Sequence, residues 1–201
     1  MLFEPLSIDG ALSVRIAPVR DERGFFARTY CRNEFLAHGI QPDVVQASVS
    51  YNARQGTIRG LHFQWPPSTE GKLVRCVRGK ILDVLVDLRP TSATYLGHDA
   101  VMLDEGNHDA VFIPSGVAHG FQTLVDTTEV LYQMADFYAP ELATGVRWND
   151  SAFGVSWPLP VSVISERDAS YPAFDRARHE AELARRQVAS SGAPIRATER
   201  A

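Results

Sequence analysis

KLVRCVRGKILDVLVDL, residues 72–88, alternates side chains of opposite character on both sides of a single glycine. An extended chain sends successive side chains to opposite faces. Leu82, Val84, Val86 and Leu88 therefore share one face, while Asp83 and Asp87 share the other with Ile81 and Leu85; before the glycine, Lys72 runs in phase with Val74 and Cys76. The pattern predicts two strands, with a hairpin at Arg78-Gly79-Lys80. The same texture extends from residue 44 to residue 138. VVQASVSY, TIRGLHFQ, YLGHDAVML, AVFIP, AHGFQTLV and TEVLYQMADFY are short apolar or alternating runs cut by Gly, Pro, Asn and Asp. Many strands with little helix in one domain predict an all-β jelly-roll barrel, because doubling or closing a sheet limits its exposed edges.

Helix is expected in two places. NEFLAHG, residues 33–39, offers Asn33 as an N-cap and Gly39 as a stop, and FDRARHEAELARRQV, residues 174–188, reads as a C-terminal helix. The last stretch, ASSGAPIRATERA, is small and polar, and disorder is expected there. The organisation read from this is one jelly-roll domain over residues 1–172 and a helix with a tail over 173–201. At 201 residues the chain can bury one sizeable core. Its formal net charge of -4 leaves no basic surplus for a phosphate backbone, so no nucleic-acid partner is expected. Cys31 and Cys76 make no disulfide framework, and no run of about 18 apolar residues offers a membrane span. MLFEPLSIDG has no basic stretch followed by an apolar one, which predicts a soluble, unprocessed, cytoplasmic protein without a membrane partner.

Chemistry concentrates in three segments. RGLHFQ, residues 59–64, carries Arg59, His62 and Gln64 in a run otherwise suited to burial, and such groups are costly to bury unless paired or used. Strict alternation puts His62 and Gln64 on one face and Arg59 on the other, so Arg59 joins His62 only through an irregularity, which Gly60 permits. Lys72 opens its strand, where it either points inward at the mouth or extends to water. Tyr132 shares a face with Val130, Met134, Asp136 and Tyr138, and the plain alternative to a catalytic phenol is a packed core tyrosine. His119 follows a PSG turn in phase with Phe121 and Thr123, and Asp168 in ISERDAS reads by itself as a surface turn residue. His38, His98, His108 and His179 sit in helix or turn contexts and are expected to be solvated.

A metal site would want two histidines two apart on a strand, and the equivalent place here reads His62-Phe63-Gln64. His62, His119 and Glu70 could only improvise one; no metal is expected. No serine sits in a GxSxG elbow and no GxxxxGK phosphate loop occurs. What remains is proton transfer. A base, a cation for a developing oxyanion and an acid placed around a carbonyl compound describe enolisation, and delivery of the proton to the opposite side makes it epimerisation.

These residues together resemble the dTDP-4-dehydrorhamnose 3,5-epimerase family of cupin-fold enzymes over about residues 3–170. DERGFFAR at 21–28, GTIRGLHFQ at 56–64, GKLVRCVRG at 71–79, DVLVDLRP at 83–90, IPSGVAHGF at 113–121, EVLYQMADFYAP at 129–140, GVRWND at 145–150 and ISERDA at 164–169 follow the family's order. The resemblance implies a nucleoside-diphosphate 4-keto-6-deoxyhexose as substrate. It makes His62 the base with Asp168 as partner, Lys72 the enolate stabiliser and Tyr132 the acid. Arg59 and His119 match active-site positions, Asp83 orients His119, and Arg23, Phe26, Gln46 and Tyr138 match positions near the nucleotide and diphosphate. It further implies a homodimer formed by exchange of N-terminal strands, and no metal or organic cofactor. Arg28 stands where many members carry glutamate, at a site facing the nucleoside; Ser48 stands at a common asparagine and Ala143 at a common glutamate. The alternatives are an epimerase acting at carbon 3 or carbon 5 only, a metal-dependent cupin, and a barrel that merely binds a nucleotide sugar.

Overall fold

The computed structural model describes residues 1–41 and 43–191. The expected tail begins at Ala189: its residues up to Ser191 are helical instead, and the rest from Gly192 onward lies outside the described residues. The first elements are short: β1 Leu2–Pro5, β2 Leu12–Arg15, β3 Val19–Asp21, β4 Gly24–Phe26 and α1 Arg32–Ala37. The long strands follow: β5 Gln46–Asn52, β6 Thr57–Gln64, β7 Lys72–Arg78, β8 Lys80–Asp87, β9 His98–Asp104, β10 Ala110–Ile113, β11 Val117–Thr123 and β12 Thr128–Met134. The chain closes with β13 Ala143–Gly145, β14 Val163–Ile164, α2 Glu166–Ala169 and α3 Arg176–Ser191.

Two sheets face each other. One has the order β1-β2-β10-β7-β12-β5; the other runs β13-β6-β11-β8-β9, with β14 parallel to β6 on its outer edge, and β3 pairs only with β4. The expected barrel is thus a jelly-roll-like pair of sheets, not a closed one. The alternation around Gly79 divides its side chains as expected: Val74, Cys76, Ile81 and Leu85 meet in the core between the sheets, and Val84, Val86 and Leu88 pack on the outer face of the second sheet. The hairpin does not form. β7 lies in the first sheet and β8 in the second, so Gly79 is the corner where the chain changes sheets, at φ +79 with Thr128 Oγ1 only 2.5 Å from where a Cβ would stand. Local turn chemistry suits either use; pairing with β12 and β11 decides between them.

Helix α1 begins one residue before Asn33, with Cys31 at the N-cap and no side-chain capping bond, while Gly39 at φ +74 does end it. α3 appears where expected, but His179 on it is buried rather than solvated, its Nε2 donating to Leu88 O at 2.8 Å beside Trp65 and Phe174. Its environment is set by what α3 covers: the outer side of β6 and β8, where Phe63 and Leu88 lie. No helix among the described residues is long and apolar enough to cross a membrane.

β6 carries the irregularity that Gly60 permits. Across β11, His62 faces His119 while Arg59 faces Phe121, so β6 spends one residue more than its partner between them. That bulge turns Arg59 and His62 to the same side. Gly60 has φ +114, and a Cβ on it would stand 2.6 Å from Gly120 Cα. Gly60→Ala is expected to lower the unfolding free energy by about 3 kcal/mol, from left-handed backbone strain plus a backbone clash. Urea unfolding checks it; a loss under about 1 kcal/mol would show that β6 and β11 can part without cost.

Candidate active site

The space between the sheets opens at one end into a cavity of about 500 Å³. The second sheet supplies Arg59, His62 and Gln64 from β6 and His119 from β11; the first supplies Gln46 and Ser48 from β5, Lys72 from β7 and Tyr132 from β12. Tyr138, Ala143 and Arg167 stand at its rim. His62 and Tyr132 thus reach it from opposite walls. A larger hollow of about 620 Å³ lies under α3, behind the same strand, and is lined by Phe63, Trp65 and Phe174 without either imidazole–carboxylate pair described below.

His62 is held by Asp168, a residue 106 positions away whose carboxylate closes on the ring with Oδ1 2.7 Å from Nε2. Asp168 is not a surface turn residue: α2 buries it to 4% exposure, and its Oδ2 accepts from Gly60 N–H at 3.1 Å. Ser165 caps α2 by accepting from Asp168 N–H. Burial by itself would raise this carboxyl's pKa, but the His62 hydrogen bond and charge and the Gly60 N–H outweigh it, and the pKa lies below the ordinary value. An ionised Asp168 accepts a hydrogen bond from Nε2–H, which leaves Nδ1 of His62 with a free lone pair.

A second pair of the same kind stands beside it. His119 Nε2 is 2.6 Å from Asp83 Oδ1, with His119 4% and Asp83 0% exposed. Burial pushes the Asp83 carboxyl up in pKa, partly offset by His119. Asp83 comes from the inward face of β8 that the alternation assigned to it. The His119 ring lies edge-on to Tyr132, with centroids 5.8 Å apart. The Tyr132 phenol is pushed well above its ordinary value, by burial first and by the Asp83 charge second, with Arg59 opposing. It stays protonated across neutral pH.

Lys72 does point inward, and its Nζ lies 2.9 Å from Glu70. Glu70 is thereby engaged as an ion-pair partner and not as a ligand beside the two histidines; among the described residues no three His, Cys, Asp or Glu side chains are grouped so as to hold one ion. Arg59 Nε donates to Asn52 Oδ1 at 2.6 Å, and Arg167 donates to Tyr171 Oη at 3.1 Å and Ala143 O at 3.3 Å. Neither guanidinium has a carboxylate in ion-pair range among the described residues. Gln46 Oε1 accepts from Tyr138 N–H at 2.7 Å, which fixes the rim. Two cations at the mouth without a carboxylate in ion-pair range among the described residues suit an anionic group.

Three residues expected near the substrate do not line this cavity. Arg23 pairs with Asp21 and Phe26 is 80% exposed, both at the hairpin of β3 and β4, and Arg28 pairs with Glu34 at 3.2 Å. Arg167, adjacent to Asp168 in ISERDA, lines it without a role in the reading of the sequence, and Glu70, weighed there only as an improvised metal ligand, lines it as the partner of Lys72.

The family model described as dTDP-4-dehydrorhamnose 3,5-epimerase matches residues 5–176. An enzyme of that name from Methanothermobacter thermautotrophicus is 41% identical over 172 residues, 84% of this chain and 92% of the relative. The crystal structure of the Bacillus anthracis dTDP-4-dehydrorhamnose 3,5-epimerase with TDP and pyrophosphate bound superposes with a TM-score of 0.83 at 36% identity, covering 86% of this chain and 99% of that one. A 3'-monoepimerase from Streptomyces bikiniensis, in complex with dTDP-quinovose, gives a TM-score of 0.80 at 30% identity, covering 92% and 97%.

Proposed function

The chain belongs to the dTDP-4-dehydrorhamnose 3,5-epimerase family, and from that premise we propose that it is an isomerase inverting carbons 3 and 5 of a dTDP-linked 4-keto-6-deoxyhexose. Both carbons adjoin the ketone, so loss of a proton from either gives an enolate on the same oxygen. Nδ1 of His62 takes the proton, and Asp168 stabilises the imidazolium that results. Lys72 meets the negative charge that develops on the oxygen. Tyr132 returns a proton from the other wall. His119, held by Asp83, donates to the sugar beside Lys72, while Arg59 and Arg167 take the diphosphate, with Gln46, Ser48 and Tyr138 bordering it. The observation that carries the reading is a carboxylate-held imidazole on one sheet facing a protonated phenol on the other, because inversion needs a base and an acid on opposite sides of one carbon.

Arg23, Phe26 and Arg28 fit this reading in a homodimer, where the exposed hairpin of one protomer reaches the mouth of its partner's cavity; a cytoplasmic location fits the nucleotide-linked substrate. Incubation with dTDP-4-keto-6-deoxyglucose in heavy water, followed by NMR, tests the chemistry. Deuterium at both carbons 3 and 5 is expected. Label at one carbon would make the enzyme a single-centre epimerase, and label at neither would end the proposal.

A further inference from the structure

The pair formed by Lys72 and Glu70 is not used by the steps above beyond the ammonium itself. Both side chains are nearly out of water, at 13% and 8% exposure. An ammonium in such a place loses much of its hydration, and a carboxylate in contact offsets the loss. Glu70 is also held from behind. Its N–H donates to Ser68 Oγ at 3.2 Å, Gln64 Nε2 donates to the same oxygen at 3.3 Å, and Ser68 Oγ donates to Asp136 Oδ2 at 3.0 Å. Asp136 is thereby turned to Ser68 and to Thr69 N–H, leaving Glu70 as the carboxylate in ion-pair range of Lys72 among the described residues. The other titratable groups bordering the cavity are His62 and Arg59 from β6, His119 from β11, Tyr132 from β12, and Tyr138 and Arg167 at the rim. Arg59 and Arg167 are cations, and each works against a charged ammonium.

We propose that Glu70 is a positioning residue for the reaction: its carboxylate holds the Lys72 ammonium aimed at the place where the enolate oxygen forms. The proposal rests on the epimerase reading for the identity of that oxygen. An ammonium has three donors, so one N–H can stay on Glu70 while another turns to the substrate. Fixing a four-carbon side chain beforehand spares that ordering during the reaction.

Glu70→Gln keeps the size and removes the charge. In Glu70→Gln, kcat is expected to fall by about 10-fold while KM and dTDP affinity hold, because the aim of the ammonium matters where the enolate charge forms. Glu70→Asp, which retains the charge, is expected to bring kcat back towards that of the unsubstituted chain. A kcat unchanged by Glu70→Gln overturns the proposal, as does a kcat that Asp leaves as low as Gln does. A loss of dTDP affinity by the same factor as kcat also overturns it, by making Glu70 a residue of the general frame. Absence of deuterium exchange in the unsubstituted chain is a different failure, that of the epimerase reading.

Discussion

Replacing His62 with asparagine is expected to reduce solvent deuterium incorporation at both carbons by about 10²–10⁴-fold, the range a positioned general base contributes, while dTDP binding stays close to that of the unsubstituted chain. The separation follows from where the groups lie. His62 sits inside the cavity with its ring turned to Asp168, and the cations assigned to the diphosphate are Arg59 and Arg167. Asparagine is a better replacement than alanine because Asp168 is buried and ionised. The asparagine amide, though it falls short of the Nε2 position, keeps a polar group beside that carboxylate, whereas alanine would leave it with only the Gly60 N–H. Calorimetry with dTDP and NMR exchange on the same preparation read the two effects apart. Exchange at the normal rate would mean that another group takes the proton, and His119, paired with Asp83 in the neighbouring register position, would be the one to replace next.

The long strands were legible because each carries its own punctuation and alternation. TIRGLHFQ and KLVRCVR coincide with β6 and β7 residue for residue. β1 to β4, β13 and β14 were not legible: they have two to four residues each and carry no period long enough to see. TEVLYQMADFY was read as one strand, but pairing with β5 ends at Met134, and of the residues beyond it Tyr138 borders the cavity. Gly79 shows a harder limit, since a glycine between two alternating runs serves a hairpin and a sheet-changing corner equally well. His179 shows another. Its polar neighbours on α3 suggest solvent, and only the presence of Trp65 and Leu88 beneath the helix buries it. In the site, pattern left His62, Lys72, Tyr132 and His119 as candidates with a plain alternative for each, the resemblance placed them in one pocket, and Gly60 permitted the bulge that adds Arg59. The burial of Asp168 had no local signal: its partner is 106 residues away, and only resemblance pointed to it. Arg167 and Glu70 escaped for the same reason. A charged residue next to a turn is ordinarily solvated, and what they face comes from other strands.

Tyr132→Phe is expected to separate the two halves of the reaction. Inversion should fall by about 10²–10⁴-fold, as for loss of a general acid, while deuterium continues to enter without change of configuration. Removal of the proton needs His62 and the Lys72 charge, and neither depends on the phenol oxygen; return of the proton by the same imidazole restores the starting centre with label in it. The substitution is mild for packing, since the ring that abuts His119 and continues the face of Val130 is kept and only the hydroxyl is lost. The phenol is the part with no substitute on its wall. Burial and the Asp83 charge hold it in the protonated form, and the other groups that the first sheet contributes there are Lys72, whose charge is committed to Glu70 and the enolate, and the neutral side chains of Gln46, Ser48, Val49, Ser50 and Met134. The ratio of exchange to inversion, measured by NMR on one sample over time, is therefore the decisive quantity. It should rise by the same factor by which inversion falls. If both rates drop together, the phenol acts before the enolate forms, by holding the sugar or the ketone, and the acid that completes inversion is then water or a group brought in by the partner protomer.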